Sequence, residues 1–146
     1  MSEAPRKLIF LVTEDWYFWS HRLPMARAAQ QAGVDVAVAT RITAHGDRIK
    51  AAGFRLIPMR WRREEIGLLA SLTAIAEIYR LYRRERPFMV HHVAHKAAIL
   101  GAIAALLARV PRMVSFIAGV GYMGTSRNRH AQLVGAAARL LWAVLL

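Results

Sequence analysis

The sequence predicts an α/β fold, a Rossmann-like parallel sheet of about five or more strands with helices on both faces. Three observations carry that expectation. Short apolar runs, several rich in β-branched residues, alternate with longer stretches of helical period, as strands buried between crossover helices do. Glycine or proline punctuates the junctions. Hydrophobic residues make up 56% of a chain of 146, which suits one well-buried core and is too short for two.

Leu8 to Val12 reads as the first strand, since only five apolar residues stand in a row before Thr13, Glu14 and Asp15, too few for a signal-peptide core. A helix should follow with Ser20 as N-cap, Leu23, Ala26, Ala29 and Gln30 at helical spacing, and Gly33 as its stop. Val34 to Ala39 is the second strand, and Gly53 ends the helical stretch after it. Phe54 to Pro58 is the third. From about Ile66 to Glu85, Leu69, Leu72, Ile75, Ile78, Tyr79 and Tyr82 form the stripe of a long amphipathic helix that ends before Pro87. Phe88 to Val93 and Met113 to Ile117 complete the strands, and right-handed crossovers give the order 3-2-1-4-5. The uncharged apolar run between Lys96 and Arg109 has twelve residues, short of the roughly 20 that span a bilayer as a helix. The final segment, LVGAAARLLWAVLL, is apolar to the last residue apart from Arg139, and reads as a helix cut off before its cap.

Lysine and arginine number 21 against 9 acids, for a net charge of +12, so an anionic partner is expected among nucleic acid, a membrane surface or a phosphorylated substrate. No acid follows Glu85. Arg60-Trp61-Arg62-Arg63, with Arg80, Arg83, Arg84 and Arg86, forms a basic flank that could lie on anionic lipid, tryptophan at the interface, or be simply solvated. No helix-turn-helix, RNA-recognition or zinc-finger spacing supports nucleic acid. Cysteine is absent, which excludes disulfides and thiolate metal sites.

Gly119-Val120-Gly121-Tyr122-Met123-Gly124 is a G-x-G-x-x-G string, but it follows the fifth predicted strand and no acid lies downstream to bind ribose, which argues against a dinucleotide site. What remains is a glycine loop at the carboxyl edge of the sheet, whose bare backbone can approach an anion, or a plain tight turn. His91, His92 and His95 cluster where the fourth strand ends. His91 and His92 should point to opposite faces of the sheet and no carboxylate is near them in sequence, so a metal site is not expected. One histidine together with Lys96 is expected to reach the cleft. Glu14 and Asp15 ahead of Trp16-Tyr17-Phe18-Trp19, then His21 and Arg22, lie at the ligand edge of such a sheet, suited to polar recognition or proton transfer, or to helix capping.

With FWSHRLPMARAAQQAGVDVAVAT, VHHVAHKAAILGAIAALLARVPRMV and FIAGVGYMGT in that order and at suitable separations, the chain resembles over essentially its whole length the N-terminal domain of bacterial family 4 glycosyltransferases of the O-antigen, capsule and lipid-linked glycan subgroup. The resemblance implies one half of a GT-B fold. The acceptor would bind mainly to this half and a nucleotide-sugar donor mainly to a C-terminal domain that these 146 residues do not include, so this chain alone is expected to be inactive. It implies no cofactor and no metal, and places His21, Arg22, His92, Lys96, Gly119, Gly121 and Tyr122 around the substrate cleft. His95 and Ala97 depart from the family pattern, which has leucine and proline there, and Val120 often stands as leucine. The implied setting is the cytoplasmic side of the plasma membrane, peripheral to it, with a lipid-linked glycan acceptor and an anionic membrane surface as partners. A non-catalytic fragment or split subunit working with a separate C-terminal half is the alternative, and a basic nucleotide- or nucleic-acid-binding Rossmann protein is a further one.

Overall fold

The computed structural model describes residues 4–117. The chain divides into two compact units, Met1–Phe116 and Ile117–Leu146, and the first contains the entire sheet described here. Its strands are β1 (Lys7–Glu14), β2 (Asp35–Arg41), β3 (Arg55–Pro58), β4 (Met89–Val93) and β5 (Arg112–Phe116). They pair in parallel in the order β3-β2-β1-β4-β5, the expected one. The helices are α1 (Asp15–His21), α2 (Leu23–Gln31), α3 (Gly46–Ala51), α4 (Leu68–Glu85) and α5 (His95–Leu107).

Because side chains alternate across a strand, the central strands feed two cores. Ile9, Leu11, Ala37, Ala39 and Val90 face one layer with Ala74, Ile78 and Leu81 of α4 and Leu100 and Ala104 of α5. Phe10, Val12, Val36, Val38 and Val93 face the other, with Phe18 of α1, Ala26 of α2 and Ile49 of α3. Ring contacts tie the second layer, with Phe18 edge-on to both Phe10 and Phe54.

Three local expectations are corrected. β1 continues to Glu14 and passes directly into α1, so Ser20 lies inside a helix and caps nothing. The chain then breaks at Arg22, and Pro24 sits in the first turn of α2, where a missing amide costs no hydrogen bond. On α4 the buried stripe is Ala74, Ile78, Leu81 and Tyr82, whereas Leu69 and Leu72 stay exposed because the first turn projects past the core. Finally, Trp61 is 3% exposed and packs in the core, so it is no interfacial anchor.

α5 is apolar all round, and its small residues let it lie close on the sheet. A Cβ on Gly101 would stand 2.6 Å from Cδ2 of His92 and 2.8 Å from Cδ2 of Leu11. The His92 ring is held from both sides by hydrogen bonds, to Tyr82 Oη at 3.0 Å and Ser115 Oγ at 3.1 Å, so it has nowhere to go. Gly101→Ala should therefore destabilise by about 1–3 kcal/mol despite the better helix propensity of alanine. A chemical unfolding midpoint at or above that of the parent chain would show that α5 lifts freely.

Candidate functional site

Where the strand order reverses, between β1 and β4, the connections leave in opposite directions and open a crevice at the carboxyl ends of the strands. A pocket of about 140 Å³ lies there, lined by Val12, Thr13 and Glu14 from the end of β1, Trp16 and Tyr17 from α1, Arg63 from the β3–α4 loop, and Ala94. Two of these carry charge. Glu14 is 8% exposed and faces Arg41 Nη1 at 3.5 Å. Ala94 has φ 76° and ψ 164°, a region nearly reserved for glycine, and its amide donates to the Phe116 carbonyl at 2.9 Å. The conformation delivers the chain from β4 into α5, whose positive N-terminal end opens at the same edge with no side-chain cap.

The neighbouring Asp15 has a different role. It is fully buried, and its carboxylate accepts from the Thr43 and His45 amides, both at 2.8 Å, and from the Thr43 hydroxyl. Burial alone would raise its carboxyl, but these bonds outweigh that and hold it below the ordinary 3.8. All its oxygens serve the loop after β2. Asp15 therefore orders the rim and is not free for proton transfer with a ligand.

His21 is exposed and stacks on Tyr17, with ring centroids 4.3 Å apart, which puts it beside the pocket wall. Arg22 lays its guanidinium over the Phe116 ring at 3.8 Å, while its buried Nε has no hydrogen-bond partner. His91 packs on Phe10, and its Nε2 is likewise buried and unpartnered. Burial, then the charge of Arg22, pushes His91 down to about 4, so at neutral pH it is an uncharged imidazole beside a cation. Buried polar atoms without partners are uncommon, and a ligand or water is what ordinarily satisfies them.

His92 points to the opposite face, as its strand position requires, and is 0% exposed between Tyr82 and Ser115. It offers no surface to a ligand. Lys96 does not stand free in the crevice either. Its Nζ donates to the Arg62 carbonyl and, at 2.9 Å, to the Glu65 carbonyl, and so fastens the β3–α4 loop that carries Arg63. Gly119, Gly121 and Tyr122 lie outside the described residues. Among the described residues no three metal-ligating side chains converge, and no helix is long and apolar enough to cross a membrane. Sequence reasoning missed Arg63, read as one charge in a basic run, and Ala94, whose backbone conformation has no signature in an alanine.

The glycosyl transferase 4-like family matches residues 7–143. The chain belongs to that family. A curated relative, the UDP-Gal:alpha-D-GlcNAc-diphosphoundecaprenol alpha-1,3-galactosyltransferase of Escherichia coli, is 36% identical over 63 residues, 43% of this chain and 16% of that protein. Among solved structures, MurG of Acinetobacter baumannii superposes with a TM-score of 0.61 at 18% identity, over 76% of this chain and 34% of that one. S. aureus MnaA, solved with UDP, gives 0.64 at 16% identity, over 96% of this chain and 37% of that one. The glycosyltransferase of Rickettsia africae gives 0.62 at 8%, over 77% and 30%. At these identities the structures show a shared fold. This family 4 member spans about a third of the solved chains and less of the galactosyltransferase.

Proposed function

We propose that this family 4 domain is the acceptor-binding half of a glycosyltransferase that moves a sugar from a nucleotide-sugar onto a lipid-linked glycan, at the cytoplasmic face of the plasma membrane. The observation that carries the reading is the family match over residues 7–143, to which the crevice between β1 and β4 adds a place for the acceptor. Glu14 can accept a hydrogen bond from a sugar hydroxyl, and Tyr17 and Trp16 offer ring faces to a pyranose. Arg63, Arg22 and the N-terminal end of α5 suit a diphosphate. The galactosyltransferase relative, by its name, acts on a sugar attached to diphosphoundecaprenol, an acceptor of this kind. The donor would be supplied by a second domain, in the same polypeptide or in a separate one. In that case the present residues position an acceptor and turn nothing over alone.

A short-chain polyprenyl-diphosphate sugar, soluble without detergent, tests the reading by calorimetric titration of the 146-residue chain. Saturable binding is expected, and Arg22→Ala or Arg63→Ala should weaken it about tenfold, as loss of a charge-assisted bond to phosphate does. Glu14→Gln should weaken it less. Tight binding of a nucleotide-sugar with none of the lipid-linked sugar would reverse the assignment of this half.

A further inference from the structure

The β3–α4 loop and the first turn of α4 expose four large aliphatic side chains. Ile66, Leu68, Leu69 and Leu72 are 94, 78, 79 and 54% accessible. At spacings of three and four residues, Leu72 lies on the same side of α4 as Leu68 and Leu69. The helix does not enter the core until Ala74, so this turn is apolar with nothing packed on it among the described residues. Soluble domains rarely leave such a patch without a use.

The loop is also held in place. Lys96 donates to the Arg62 and Glu65 carbonyls, which fastens the loop to the start of α5. Arg60, Arg62 and Arg63 are exposed immediately before the aliphatic residues, with no carboxylate within 4.0 Å of their side chains among the described residues. Of the two acids between them, Glu64 is drawn toward Arg41 at 3.7 Å.

We infer that this turn is a bilayer-insertion tip, in which Ile66, Leu68, Leu69 and Leu72 enter the acyl boundary of an anionic membrane while the preceding arginines contact lipid phosphates. Aliphatic tips bordered by arginine match the two layers of a lipid surface, hydrocarbon inside and phosphate outside. Exposed arginines that meet no carboxylate within 4.0 Å among the described residues favour a surface of phosphates over the mixed polar rim of a protein partner. Because Arg63 also lines the crevice between β1 and β4, insertion sets that crevice beside the membrane. This deepens the reading of a lipid-linked acceptor, on which it rests for its purpose, but its test requires no sugar transfer.

The chain has no cysteine, so Leu69→Cys can carry a single environment-sensitive dye. Vesicles of phosphatidylcholine with a minority of phosphatidylglycerol should shift its emission to the blue, and the same dye at Gln31→Cys, exposed on α2, should not respond. Replacing Ile66, Leu68, Leu69 and Leu72 together by serine should lower vesicle co-flotation at least tenfold. These side chains are solvent-exposed, so the far-ultraviolet spectrum and unfolding midpoint should be retained. Arg60→Gln with Arg62→Gln and Arg63→Gln should reduce binding to anionic vesicles by about fivefold per arginine and leave neutral vesicles little changed. A dye at position 69 that stays in water while the chain co-floats would overturn the inference and assign adsorption to another segment. So would a four-serine variant that floats as well as the parent. If that variant lost only self-association, measured by light scattering, the patch would belong to a second copy of the chain. Failure of acceptor binding in the calorimetric test would count against the acceptor-binding reading alone.

Discussion

Asp15→Ala is expected to lower the stability of the sheet unit by about 3 kcal/mol. Hydrogen bonds to a buried charged group contribute roughly 1.5–3 kcal/mol each, and Asp15 accepts three from Thr43 and His45, whose partly exposed loop lets water recover some of the loss. Asp15→Asn keeps one good acceptor and should lose about half as much. The measurement is the guanidinium unfolding midpoint at unchanged slope, which separates stability from compactness. A midpoint change worth less than about 1 kcal/mol would mean that the loop after β2 does not depend on this carboxylate. The sign with pH follows from its depressed ionisation. Its contribution is fully present above the ordinary 3.8 and disappears as the pH falls through its lower, folded-state value.

A second large effect is loss of stability on mild acidification, before any carboxylate titrates. Burial, then the neighbouring charge, pushes His91 down to about 4 and His92 to about 3, against an ordinary 6.5. Below pH 6.5 the unfolded chain binds a proton at each ring that the folded chain refuses, so stability falls with pH by about 1.4 kcal/mol per unit per histidine until the folded rings protonate. Glu85 contributes lower on the scale. Burial would raise its carboxyl, but bonds from Arg55, Lys7 and Arg84 prevail and bring it from 4.5 to about 2. Its stabilisation is therefore present above pH 4.5 and is lost below that. Thermal midpoints between pH 6.5 and about 5.5 isolate the histidines. His91→Asn should flatten the curve by about one proton's worth. An unchanged slope would place His91 in water rather than in the wall beside Arg22.

Much of the fold was legible because it rests on local properties. Short apolar runs such as Leu8 to Val12 and Val34 to Ala39 mark buried strands wherever the chain goes, and Gly33 and Gly53, at φ 83° and 89°, stop helices because other residues resist that conformation. The element boundaries were less legible. Ser20 had the chemistry of a helix cap, yet β1 ran on to Glu14 and the helix began five residues before it, since burial of Phe18 against Phe10 and Phe54 outweighs one capping bond. Leu69 and Leu72 fitted a helical stripe, but periodicity says only which residues share a side of the helix. Whether that side meets a core depends on where the neighbouring elements end.

The candidate site divides in the same way. That Glu14, His21 and Arg22 stand at the carboxyl edge of the sheet followed from strand order. That Asp15 is bound up in the rim, that His92 is sealed between Tyr82 and Ser115, that Lys96 fastens a loop, and that Arg63 reaches the crevice did not. Family, sheet order and the polar edge were determined by the sequence itself, because periodicity, glycine and motif order are properties of neighbours along the chain. Which polar groups are spent on the fold and which remain for a ligand was decided only by tertiary structure. A hydrogen bond between residues 28 or 31 positions apart, such as Asp15 to Thr43 or Lys96 to Glu65, exists only once register and packing have brought its partners together.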